Sequence, residues 1–439
     1  MAEKRRVVIT GMGLISPLGS TKEALWEALA SGRSGIDRLQ SVPANALPTN
    51  VAGEAIAFTG KIDDFGPLDK DRKKLIRKGL KVMCRETLMG VASAQLAMAD
   101  AGLVESGLDP ERSGVVFGSD YMMTLPEEFS SSIRKCSDGG RFEFSRWGTD
   151  GLEQMQPLWL LKYLPNMPAS HIAIFNDLRG PNNSITHREA AANLAMGEAY
   201  RTILRDHADA MLVGATGTRV HPMKAVHAAQ TEQLAEGNGD PTKACRPFDL
   251  RRRGMVLGEG AGSVLLEELG AARARGATIY AELVGAASST VLDRQGIAQC
   301  DQAIANAMRL TLRDAGMTPE EVGHINAHGL GSKSRDIQEA LAIGAVFEDR
   351  ATRVPLVAAK SYFGNLGAGS GMVELISSLM ALAHGRLFRV LNFETPDPEC
   401  PVAAVTADDV SPGESFLSVN TTPQGQAAAV LIRAFGEDR

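Results

Sequence analysis

The sequence predicts an α/β protein, and three observations carry that reading. Short apolar runs of strand character alternate with segments of helical period. The rhythm starts again after residue 270 without any residue-level repeat. The chain is also large enough for the core this class needs: 439 residues, 44% of them hydrophobic.

Taken in order, residues 6–19 read as a buried strand, a Gly-rich turn and a loop. The Gly11-x-Gly13 pair lacks the rest of a dinucleotide fingerprint. Ser16 stands at the third glycine and Pro17 follows it, so a tight structural turn is preferred over a nucleotide site. Ser20-Thr-Lys-Glu23 offers a capping box for a helix running to about Ala30. Residues 70–85 hold Lys70, Arg72, Lys73, Lys74, Arg77, Lys78, Lys81 and Arg85, and a helix continues from Glu86 to Ala101. Such a run is a solvated helix face or a dock for an acidic partner. Strand 113–118 follows. Residues 119–175 read as a largely irregular cap over the core and an oligomer contact, with Trp147, Trp159 and several prolines.

Residues 180–197 form the centre of the chain. A Gly-Pro-Asn-Asn turn leads into Ser184-Ile-Thr, and a helix starts near Glu189 with Ala192, Ala195, Met196, Ala199 and Ile203 at helical spacing. Strand 208–216 comes next, then a Gly-rich approach at 258–262 into strand 263–267. The second half offers strand 279–287, helix 302–315 and strand 322–328 with a polar tip. Helix 336–346, strand 354–359 and helix 371–384 follow, and segments 416–420 and 427–433 look antiparallel.

Nothing in a net charge of −6 suggests a nucleic-acid or general membrane binder. No apolar run is long enough to span a membrane. The charged start, residues 1–6, meets only a short apolar strand, too short for a signal peptide. Cys84, Cys136, Cys245, Cys300 and Cys400 are scattered with no C-x-x-C pair, which points to a reducing, cytoplasmic setting rather than disulfides or zinc. The histidines show no metal-ligand spacing, and no cofactor is expected.

Three segments have the character of active-site tips: Thr186-His-Arg-Glu189, Asn326-Ala-His-Gly329 and Lys360-Ser-Tyr-Phe-Gly-Asn365. With Val7-Val-Ile-Thr-Gly-Met-Gly, Leu164-Pro-Asn-Met167, Gly180-Pro-Asn, Arg246-Pro-Phe-Asp249 and Leu257-Gly-Glu-Gly-Ala-Gly262, they make nearly the whole chain resemble the elongating β-ketoacyl-acyl-carrier-protein synthases. The resemblance implies the thiolase fold, two similar βαβαβαββ halves in a five-layer αβαβα arrangement. The halves are expected at residues 1–262 and 263–439.

In that family a cysteine after Gly-Pro takes the acyl chain, activated by a helix dipole and backbone amides. Here His187-Arg188-Glu189 stands in its place, with Glu189 at the nucleophile position. An acylated carboxylate is a mixed anhydride, uphill from a thioester, so condensation through Glu189 is not expected. It is then a carboxylate at a helix start, or a general base near His328. The family's first histidine is kept as His328; its second is Asn365. A His-Asn pair can still hold a thioester carbonyl and an enolate. Lys360 and Glu374 match the family's supporting lysine and glutamate. The closing loop with its two phenylalanines is replaced by Asn420-Thr-Thr-Pro-Gln-Gly-Gln-Ala-Ala428, and the threonine pair after the histidine by Leu330 and Ser332.

Catalytic-position candidates are therefore Glu189, His328, Asn365 and Lys360. Pocket candidates are His187, Arg188, Leu330, Ser332, Thr421, Thr422 and Gln424. Lys70, Lys73, Lys74 and Arg77 are candidates for docking an acyl carrier protein. Scaffold motifs survive while four chemical elements have changed, a pattern unlike random decay. The leading expectation is a non-condensing subunit similar to chain-length factors, paired with an active ketosynthase. A malonyl-carrier-protein decarboxylase or divergent acyltransferase using His328 and Asn365 is the alternative, and a homodimeric carrier-protein or lipid binder a third.

Overall fold

The computed structural model describes residues 5–43, 46–104, 107–237 and 239–436. The charged start at residues 1–4 lies outside them. The first half contributes β1 (Val7–Ile15), β2 (Asp37–Arg38), β3 (Val51–Gly53), β4 (Ser113–Ser119), β5 (Ser137–Asp138), β6 (Arg141–Phe142), β7 (Asn182–Thr186), β8 (Ala210–Thr218) and β9 (Leu257–Glu268). The second contributes β10 (Ala281–Thr290), β11 (His324–Asn326), β12 (Pro355–Val357), β13 (Ala403–Ala404), β14 (Ser415–Thr421) and β15 (Gln426–Ala434).

Two ladders of the same pattern result. In the first half β7, β4 and β8 are parallel neighbours, and β9 and β1 follow antiparallel. In the second, β12, β11 and β14 are parallel, and β15 and β10 follow antiparallel. A short antiparallel contact of β1 with β10, Val7 opposite Leu283, joins the halves. Parallel strands need crossovers, and the buried helices supply them. The 416–420 and 427–433 segments do pair antiparallel, in β14 and β15.

Two small-residue helices lie between the ladders. Ala191–Leu204 buries Ala192, Ala195, Met196, Ala199 and Ile203, the face its spacing predicts. Ser370–His384 is buried from Ser370 through Ala381. They approach so closely that a Cβ on Gly371 would lie 2.7 Å from the Ala192 Cβ. Asn193 Nδ2 donates to the carbonyls of Ser418 and Ala428 at 3.2 Å, tying the first helix to the second half.

Several local readings are corrected. β1 runs unbroken through Gly11 and Gly13 with a register shift, so no turn lies there. The glycines admit the Arg85–Asp100 helix: a Cβ on Gly11 would lie 2.4 Å from the Ala97 carbonyl oxygen, one on Gly13 2.2 Å from that of Ser93. Residues 258–262 are likewise part of one strand, β9. Thr21, not Ser20, caps the Lys22–Ser31 helix, its hydroxyl accepting from Ala24 N at 3.1 Å. The basic stretch is a separate helix, Lys70–Gly79, which breaks before Arg85–Asp100. The 119–175 region is mainly helical, with Pro126–Lys135, Met167–Asn176, short turns and a β5–β6 hairpin. All five cysteines are free and buried. Among the described residues no helix is long and apolar enough to cross a membrane.

Candidate functional site

The tips meet where the parallel strands of both halves end. β7 leads through His187 into a helical turn, Arg188–Ala190, ahead of the Ala191–Leu204 helix. Arg188 takes a left-handed backbone, φ +48°, a conformation costly for a side-chain-bearing residue and held here by its ion pairs. The turn buries Glu189 to 2% exposure.

Glu189 is locked in place. Its Oε1 lies 2.5 Å from Arg219 Nη2 and accepts from Asn365 Nδ2 at 3.0 Å. Its Oε2 lies 3.4 Å from Arg188 Nε. Arg188 also pairs with Glu232 at 2.5 Å, and Arg219 with Asp120 at 3.2 Å. Burial opposes the carboxylate charge, but Arg219 and then Arg188 outweigh it and hold the group well below the usual carboxylate range. Glu189 is thus an anion whose lone pairs face cations.

His328 follows β11 and is also buried. Its ring is kept neutral: burial first, then the Lys360 charge, push it well below the ordinary histidine range. Its backbone N–H donates to Glu339 Oε1 at 2.6 Å, and Gly329 N–H to Oε2 at 2.8 Å. Lys360, three residues past the end of β12 and the first residue of a short helix, pairs with Glu374. Asn365 is fully engaged. Its amide nitrogen donates to Glu189, and its Oδ1 accepts from Gly367 N and Ser370 Oγ, both at 3.1 Å.

Glu189, His328, Leu330, Thr421 and Thr422 line one cavity, together with Glu232, Arg335 and Pro423. It offers about 10 Å³, room for one water at most. Thr421 and Thr422 shape the β14–β15 hairpin, Thr421 Oγ1 donating to the Gln426 carbonyl at 3.1 Å. Ser332 is buried at the start of the Lys333–Phe347 helix, away from the cavity lining. His187 and Gln424 are exposed and do not line it. Lys70, Lys73, Lys74 and Arg77 gather with Lys78 around an open surface hollow of about 430 Å³ on their own helix.

Sequence reasoning missed Arg219, Asp120, Glu232, Arg335 and Glu339. Asp120 and Arg219 each follow directly on a strand, β4 and β8, and that placement was the available signal. Nothing in the linear pattern says the two would meet.

Two halves with matching ladders, their parallel strand ends facing a common site, define a protein of the thiolase fold. The chain belongs to the beta-ketoacyl synthase family: the model of its N-terminal domain matches residues 4–272 and that of its C-terminal domain residues 280–394. It is 33% identical to the 3-oxoacyl-[acyl-carrier-protein] synthase 2 of Synechocystis sp., over 94% of this chain and 92% of that protein. The namesake protein of Coxiella burnetii is also 33% identical, over 91% of each. Among solved structures, the ishigamide ketosynthase/chain length factor matches at 27% identity and TM-score 0.80, covering 99% of this chain and 100% of that one. A beta-ketoacyl synthase from Burkholderia phymatum matches at 26% and 0.84, covering 98% and 100%.

Proposed function

We propose that the chain is a condensation-incompetent ketosynthase-like subunit of fatty-acid or polyketide biosynthesis, working beside an active ketosynthase as chain-length factors do. The observation that carries this is the state of Glu189. A carboxylate held charged by Arg219 and Arg188 and bonded by Asn365 is a poor nucleophile. The cavity beside it, about 10 Å³, has no room for an acyl group. The likeness to a ketosynthase/chain length factor supports the partner class.

In this reading the halves are residues 1–262 and 263–439, and the 119–175 cap meets the partner. The Lys70, Lys73, Lys74 and Arg77 face receives an acidic acyl carrier protein in the cytoplasm. The partner is a ketosynthase with an intact cysteine, in a heterodimer; a homodimer is the competing arrangement.

Tagged chain purified from its host should bring down such a ketosynthase. Alone it should make no ketoacyl product, and the pair should make more product, or a different chain length, than the ketosynthase alone. Carbon dioxide release from malonyl-carrier protein by the chain alone, abolished in His328→Ala, would replace this reading with the decarboxylase.

A further inference from the structure

The parallel strands β7, β4 and β8 end side by side. In open α/β sheets the crevice beyond such carboxyl ends is where ligands bind. Here the residues that follow the strands fill it themselves: Asp120 after β4, Arg219 after β8, and Arg188 with Glu189 after β7. They form one alternating run. Glu232 meets Arg188 at 2.5 Å, Arg188 meets Glu189 at 3.4 Å, Glu189 meets Arg219 at 2.5 Å, and Arg219 meets Asp120 at 3.2 Å. Arg219 is 1% exposed and ranks among the largest fully buried side chains.

Stability alone does not call for this filling. Apolar side chains of similar volume serve a core as well as buried ion pairs, or better. What ion pairs add is exclusion. An apolar chain entering here must strip charges of their partners in a dry site, whereas an apolar filling could repack around it.

We propose that Arg219 is a specificity-determining plug. Clamped between Asp120 and Glu189, it occupies the crevice and keeps acyl chains out of this subunit's own site. The inference deepens the subunit reading and rests on it only for the class of ligand excluded, the acyl group named in the relatives' activity.

The test uses a decanoyl thioester of N-acetylcysteamine carrying a photoreactive diazirine, with the full-length chain. Wild type should show no label on peptides containing Asp120, Glu189 or Arg219. Asp120→Ala/Arg219→Ala removes one charge of each sign, leaves Glu189 with Arg188, and opens space. It should label on those peptides at least about tenfold above wild type. A folded double variant that stays unlabelled overturns the plug. So does saturable labelling of wild type at those peptides, a reading that stands whether or not the variant folds. An unlabelled wild type beside a pair without partner-dependent activity would sink the subunit reading and leave the plug standing. A labelled wild type in a working pair would do the reverse.

Discussion

Lys360 Nζ donates to the carbonyl oxygen of His328 at 2.8 Å and stands 3.3 Å from Nδ1 of the same residue. A cation donating to Nδ1 leaves the ring's proton on Nε2. His328 is then a neutral imidazole with a fixed tautomer, its backbone clamped by Glu339. Lys360 in turn is anchored by Glu374, which accepts from Asn420 Nδ2 at 2.7 Å. The support runs unbroken from Asn420 and Glu374 through Lys360 to the imidazole.

Lys360→Met should therefore be destabilising. It leaves Glu374, which is 0% exposed, as an unpaired buried carboxylate. Breaking a buried pair in this way costs about 3–5 kcal/mol. Lys360→Met/Glu374→Gln removes the stranded charge and should recover much of the loss. Urea denaturation of the three proteins measures both effects, and a single variant as stable as wild type would contradict the burial argument.

Glu339 gives a pH prediction with a definite sign. Burial pushes its carboxyl up to about 7, against an ordinary 4.5, despite the N–H groups of Gly329 and His328. Below about 4.5 it is protonated folded or unfolded. As pH rises from there, the unfolded chain ionises first, so this group's contribution to stability falls until about 7 and then levels. Glu339→Gln cannot ionise. Its deficit relative to wild type should shrink as pH rises through that window, as read by urea midpoints at matched ionic strength. A deficit constant with pH would mean Glu339 is ionised throughout.

Gly13→Ala tests the packing of β1. The new Cβ would meet the Ser93 carbonyl oxygen at 2.2 Å and Ala97 N at 2.4 Å. Both are helix backbone and cannot swing aside, so the whole Arg85–Asp100 helix must shift. Overpacking of this kind costs about 1–3 kcal/mol or more, and the thermal midpoint should drop accordingly. An unchanged midpoint would show that the helix can ride outward at no cost.

That position also shows what the sequence could reveal. The Ala192-to-Ile203 face, the β14–β15 pair and the convergence of residues 189, 328, 360 and 365 were legible, because period and motif order are local properties. Gly11 and Gly13 were misread because glycine suits a turn as well as a strand. What decides is a helix more than 70 residues downstream, Arg85–Asp100. Arg219 and Asp120 were missed for the same reason: their partnership exists only once β4 and β8 lie side by side. His187 and Gln424 occupy the expected chain positions, yet their side chains are exposed, since a motif position does not fix where a side chain points.

On the proposed subunit reading, Glu189→Cys places a thiol where the family resemblance expects the nucleophile, yet it should not confer condensation. The thiol would sit beside Arg219 and Arg188, whose charges would favour the thiolate. Reactivity is not what is missing. Arg219 still fills the crevice, the few atoms lost with the carboxylate free far less space than an acyl chain needs, and the loop at residues 420–428 is unchanged. Asp120, 3.2 Å away, still pairs with Arg219 and holds it in place. Intact-mass analysis after exposure to an acyl-carrier-protein thioester should show no acyl adduct. An adduct confined to residue 189, with ketoacyl product on adding malonyl-carrier protein, would show that the carboxylate alone had silenced the site.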